Sequence, residues 1–178
     1  MNVKKLTLSA ILLAIGYLLH QFVPGIPFLG GMKMDFLLIM MFFSIFMMDS
    51  YREVLAVSLA CGVISAMTTT FPGGQIANLV DKLVTGALVF QGYRLLKPRM
   101  ARTALTLLVA AVGTILSGSI FLATGLAVSQ APLSFGALFL GVVLPTAILN
   151  TFMALLLQRI MDRAGYVKLL GSPTPSNS

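Results

Sequence analysis

The segment TALTLLVAAVGTILSGSIFLATGLAV, residues 103 to 128, contains no ionisable side chain. A helix needs about 20 apolar residues to cross the ~30 Å hydrocarbon layer of a bilayer, and this run exceeds that. Lipid offers no partner to a backbone N–H or C=O, so a chain built around such runs folds as helices. The remainder is no more polar: 58% of the 178 residues are hydrophobic and 10% are charged. A soluble domain carries about 25% charged residues, so a water-soluble globule is excluded. The net charge of +7 does not indicate nucleic acid, which requires a clustered basic patch on a soluble fold. A lone cysteine, Cys61, excludes an intrachain disulfide and a cysteine-rich metal cluster.

Six apolar segments emerge, at about Leu6–Val23, Asp35–Met48, Val54–Thr69, Gln75–Leu96, Arg102–Val128 and Phe135–Met161. MNVKK followed by LTLSAILLAIGYLL has the look of a signal peptide. No small-residue cleavage site follows it, however, and the run is as long as a full span. The second segment is short for a bilayer and must tilt, extend into PFLGG or sit in a thinned region. Pro145 predicts a kink in the sixth. Lys4, Lys5, Arg52, Arg94, Lys97, Arg99, Arg102, Arg159, Arg163 and Lys168 fall on the side of both termini. Only Lys33 falls opposite, and Lys82 lies within a helix. This bias predicts cytoplasmic termini. The expected architecture is an all-α integral membrane protein in the cell membrane. It is a compact bundle of six transmembrane helices over residues 1–168, with a disordered tail over 169–178.

The most informative segment is GGQIANLVDKLVTG, residues 73 to 86. At 100° per residue, Gln75, Asn78, Asp81, Lys82 and Thr85 share an arc of roughly 120°. A charge at the centre of a spanning helix costs about 2.5 to 3.5 kcal/mol, so such an arc faces a cavity or a polar interhelical network. A ligand reading and a network reading therefore compete. For a ligand, an amino acid zwitterion fits: a carboxylate for Lys82, an ammonium for Asp81, and Asn78 to orient either. Being adjacent, Asp81 and Lys82 point about 100° apart and need not pair. For a network, Asn150 is an available partner. His20, Gln21, Lys33 and Asp35 lie near the same end. Met32, Met34, Met40, Met41, Met47 and Met48 surround the second helix, where they suit a flat aromatic ligand or an ordinary helical core.

Small residues at four-residue spacing allow close helix contact. Ser58, Gly62 and Ala66 form one ladder; Ala110, Thr114 and Gly118 form a second; Ala137 and Gly141 begin a third. Ala10 and Ala14 leave a furrow on the first helix for a partner inside or outside the chain. No Walker A motif, HExxH or metal-spaced Cys/His set occurs. No cofactor, metal or catalytic centre is implied, and the available chemistry is recognition without covalent change.

The stretches KKLTLSAILLAIG, VPGIPFLGGMKMDFLLIMMF and TTTFPGGQIANLVDKLVTG resemble the bacterial tryptophan transporter family, the substrate-binding S-components of energy-coupling factor importers. The resemblance covers nearly the whole chain and implies capture of extracellular tryptophan without catalysis. It also implies work alongside a membrane coupling protein and two cytoplasmic ATPases, with Ala10 and Ala14 docking on the coupling protein. The expected polar contacts are Asn78, Asp81, Lys82 and Gln75, with Asn150 in support. Gly73, Gly74, Met34 and Phe36 would shape a lid. Related S-components take vitamins, so a vitamin is the alternative substrate. A non-transporting scaffold and, more remotely, an intramembrane enzyme are the alternatives from other classes.

Overall fold

The computed structural model describes residues 3–22, 34–163 and 165. Six helices follow one another: α1 (Val3–Phe22), α2 (Phe36–Ile45), α3 (Tyr51–Thr68), α4 (Gly74–Leu96), α5 (Arg102–Ser129) and α6 (Phe135–Arg163). Their starts are set by local chemistry. Asp35 caps α2 by accepting from Leu38 N at 2.9 Å. In DSYRE, Ser50 accepts from Glu53 N while Glu53 accepts from Asp49 N, so each side chain satisfies a donor that the helix leaves free. At the opposite turn Gly73 adopts φ 69°, a left-handed conformation that favours glycine.

The expectation of six transmembrane helices is not met. Four helices, α1, α3, α5 and α6, are long and apolar enough to cross a membrane by length and composition. The ten residues of α2 rise only about 15 Å, half the hydrocarbon thickness. All ten are buried, so α2 is a core helix surrounded by its neighbours. The 23 residues of α4 are long enough, but the face carrying Asn78, Asp81, Lys82 and Thr85 turns into the protein and lowers its hydropathy. The bundle encloses α2, whereas α4 buries its polar face and leaves Ile76, Val80, Val84 and Leu88 exposed.

Lys5 pairs with Asp49, Tyr51 Oη donates to Gln91 Oε1, and Arg102 lies 2.8 Å from Asp162. These contacts gather the starts of α1, α3 and α5 with the ends of α4 and α6, so the basic residues in these segments share one end of the bundle. Lys33, Lys168, the GIPFLGG connection and the tail at 169–178 lie outside the described residues.

The core is centred on α2, where Ile39, Met41, Phe42 and Ile45 meet Leu12 and Leu13 of α1, Val54 and Cys61 of α3 and Phe90 of α4. Close approach follows the small residues. A Cβ at Gly62 would meet the Asn78 carbonyl oxygen at 3.3 Å, and one at Gly16 would meet Met40 at 3.0 Å. Ser58 and Gly62 thus pack on α4. Ala137 and Gly141, by contrast, are exposed, and nothing lies within 4 Å of a Cβ at Gly141. The expected irregularity near Pro145 takes the form of a π-helical turn, Phe139–Val143, just before it. Proline lacks an N–H and its ring crowds the carbonyl four residues back, here Gly141, and the wider turn accommodates both.

Candidate functional site

At the end of the bundle away from the basic residues lies a cavity of about 300 Å³. That is at the lower limit of the ~300–1,000 Å³ typical of small-molecule sites. Its polar side is formed by Asn78, Asp81 and Lys82 of α4, Asp35 before α2, His20 near the end of α1, and Thr114 and Ser117 of α5. Its apolar side is Phe71, Phe121, Leu122, Leu138, Val142 and Val143. Phe71 and Phe121 pack edge to face, with centroids 5.3 Å apart. The ring of Phe71 is seated on α5 at Gly125, where a Cβ would approach it to 2.9 Å.

Asp81 is fully buried and completely engaged. Its Oδ1 accepts from Thr85 Oγ1 at 2.9 Å, and its Oδ2 accepts from Lys82 Nζ at 2.5 Å and from Ser117 Oγ at 2.8 Å. Lys82 also donates to Ser117 Oγ at 3.1 Å. The adjacent charges therefore do pair: the four-carbon lysine stem folds back across the 100° that separates their Cβ directions. Burial of an unpaired charge is prohibitive, and the pairing with its hydrogen bonds offsets part of that cost. Asn78 donates to Ser65 O at 3.3 Å and Gly74 O at 2.9 Å, tying the end of α3 to the first turn of α4.

Asp35 is the second carboxylate of the site. Its Oδ2 lies 3.8 Å from Lys82 Nζ, and its Oδ1 lies 3.9 Å from His20 Nδ1, both longer than a hydrogen bond. Sequence reasoning placed Asp35 near the site without giving it a role, because its proximity to Lys82 depends on how α2 packs. Ser117 was missed, though Thr114, Ser117 and Phe121 stand at i, i+3 and i+7 on one face of α5. Reading Ala110, Thr114 and Gly118 as a packing ladder hid that polar face.

The other expected contacts are placed elsewhere. Gln75 is exposed and does not line the cavity. Gly73 and Gly74 form the turn that carries Phe71, and a Cβ at Gly74 would collide with Thr69. Phe36 is buried and Met34 half-buried, neither of them on the cavity wall. Asn150 is fully buried behind the wall, accepting from Asp35 N at 2.8 Å and donating to Thr114 Oγ1 at 3.2 Å. Ala10 and Ala14 are exposed on the outer face of α1 with Ile11, Ile15 and Leu18. Among the described residues no group of three or more His, Cys, Asp or Glu is placed to hold a metal ion.

Residues 2–164 match the family model described as "Tryptophan transporter TrpP". A "Probable tryptophan transport protein" of Bacillus subtilis (strain 168) is 41% identical over 172 residues, covering 94% of this chain and 98% of that one. Proteins of the same description from Clostridium acetobutylicum and Clostridium perfringens are 43% and 38% identical, over 84% and 92% of this chain and 86% and 93% of their own. No solved structure matches the chain. With the matched region running through every helix and every wall of the cavity, the chain belongs to the tryptophan transporter TrpP family.

Proposed function

We propose that this chain captures extracellular tryptophan and presents it for ATP-driven uptake as the substrate-binding subunit of an energy-coupling factor importer. Family membership makes it a multi-pass protein of the plasma membrane and a transporter component rather than an enzyme. The observation that carries the substrate reading is the cavity's division into a charged side and an aromatic side. Tryptophan is divided in the same way. Its indole suits the wall of Phe71, Phe121 and Leu122, because aromatic pairs gain about 0.5–1.5 kcal/mol beyond simple burial. Its ammonium suits Asp35, and its carboxylate suits the third N–H of Lys82. The cavity lies at the end poor in Lys and Arg, which the positive-inside rule places outside.

Family membership implies a coupling protein with an ATPase module. The outer face of α1 supports docking on that coupling protein. Ala10 and Ala14 present a shallow strip that leaves room for a partner helix to approach closely.

Equilibrium dialysis of purified protein with radiolabelled tryptophan tests the reading, alongside other amino acids and vitamins. One saturable site is expected, and Asp35→Asn and Lys82→Met should each weaken it at least about tenfold. Ala10→Leu and Ala14→Leu should keep that binding and lose uptake in cells. Absence of saturable tryptophan binding, or loss of binding in the alanine variants, contradicts the assignment.

A further inference from the structure

The hydrogen-bonding capacity left open in the cavity is unequal between donors and acceptors. Lys82 Nζ spends one N–H on Asp81 and a second on Ser117. Asn78 Nδ2 has two hydrogens, and Ser65 O and Gly74 O take both. The hydroxyl of Ser117 donates to Asp81 at 2.8 Å, and that of Thr68 donates back into its own helix at 3.2 Å. The acceptors are less engaged. Among the described residues, Asp35 Oδ2 receives no hydrogen bond, and its nearest cation, Lys82, stands 3.8 Å away and already in contact with Asp81. The side-chain oxygen of Asn78 is likewise without a donor among these residues.

Charge follows the same sense. Asp35 and Asp81 face the single lysine among the described lining residues, and His20 adds charge only when protonated. An entering ammonium brings three donors and a positive charge to this surplus. An entering carboxylate brings only acceptors, meets two carboxylates, and finds the remaining N–H of Lys82, the imidazole of His20 and a few neutral hydroxyls.

We infer that the site anchors its ligand through a primary ammonium held by Asp35, with the ligand's carboxylate secondary. The class of ligand is then an aromatic primary amine, of which an aromatic α-amino acid is one member. This rests on the capture reading above and deepens it by naming the group that anchors the ligand.

The test is competition against radiolabelled tryptophan on the purified full chain. The competitors are tryptamine, which lacks the carboxylate, and indole-3-propionate, which lacks the ammonium. Tryptamine should compete at least about tenfold better than indole-3-propionate, the weight of one charge-assisted hydrogen bond or more. Asp35→Asn should shrink that ratio. A ratio below about tenfold in the unmodified protein, or a reversed order, overturns the inference whatever becomes of the variant. So does a ratio that Asp35→Asn leaves unchanged in folded protein. If tryptophan itself fails to bind the unmodified protein, the capture reading falls and this inference with it. If tryptophan binds but the analogue order is reversed, only the inference falls.

Discussion

Asp35 serves two structural tasks and keeps one oxygen without a hydrogen bond among the described residues. Its Oδ1 caps α2 through Leu38 N, and its backbone N–H is held by Asn150, which in turn holds Thr114 on the cavity wall. On the proposed reading Asn150 is a positioning residue, acting on the ligand through Asp35. Asn150→Leu leaves the Asp35 N–H without its acceptor, an imbalance of about 1–3 kcal/mol. Tryptophan affinity should fall by about tenfold. Combined with Asp35→Asn, the loss should be clearly smaller than the product of the two single losses, because both act on one carboxylate. Independent losses in a double-mutant cycle would refute the relay. At this scale the sequence was partly legible. The helical period put Asn78, Asp81, Lys82 and Thr85 on one face, and all four are buried. The same period could not show that Lys82 folds back on Asp81, nor that Gln75, at the exposed first turn, stays out of the cavity. Those outcomes depend on side-chain length and on neighbouring helices.

Between elements, the α3–α4 contact shows how closely backbones approach around the site. A Cβ at Gly86 would lie 3.0 Å from Ser58 Cβ and collide with Ser58 Oγ, a buried hydroxyl with no hydrogen-bond partner among the described residues. Gly86→Ala should destabilise the protein by about 1–3 kcal/mol through overpacking, and Ser58→Gly should restore most of it. Thermal unfolding in detergent checks this pair, and failure of Ser58→Gly to suppress the loss would place the strain elsewhere. Helix limits were legible to within a few residues: α6 was expected from Phe135 to about Met161 and runs to Arg163. The environment of each helix was less legible. Leu, Ile, Met and Phe in α2 read the same whether they face lipid or protein. Only the length of α2, ten residues, betrays a core helix. Pro145 signalled an irregularity, but whether a proline kinks a helix or is absorbed by a π turn depends on the packing around it. Here Leu138, Val142, Val143 and Thr146, in and around that turn, line the cavity.

Across the whole molecule, four apolar helices of spanning length pack with two others. Of these, α2 is buried throughout, and α4 buries its polar face and leaves Ile76, Val80, Val84 and Leu88 exposed. One is short and the other carries the charged face, and the cap of the first with the polar arc of the second supplies the cavity's carboxylates and its lysine. Composition made the membrane class plain but overcounted the spans, because hydropathy registers an apolar run without registering what surrounds it. The central claim is that this cavity holds an indole ligand against Phe71 and Phe121. The chain contains no tryptophan and four tyrosines, so selectively excited indole emission comes from the added ligand alone. Titrating purified protein into tryptophan and recording that emission tests the claim most directly. The account predicts a saturable blue shift at one ligand per chain, with Phe121→Ala requiring about three- to tenfold more protein to reach it. Emission that stays at its aqueous position in excess protein would contradict it.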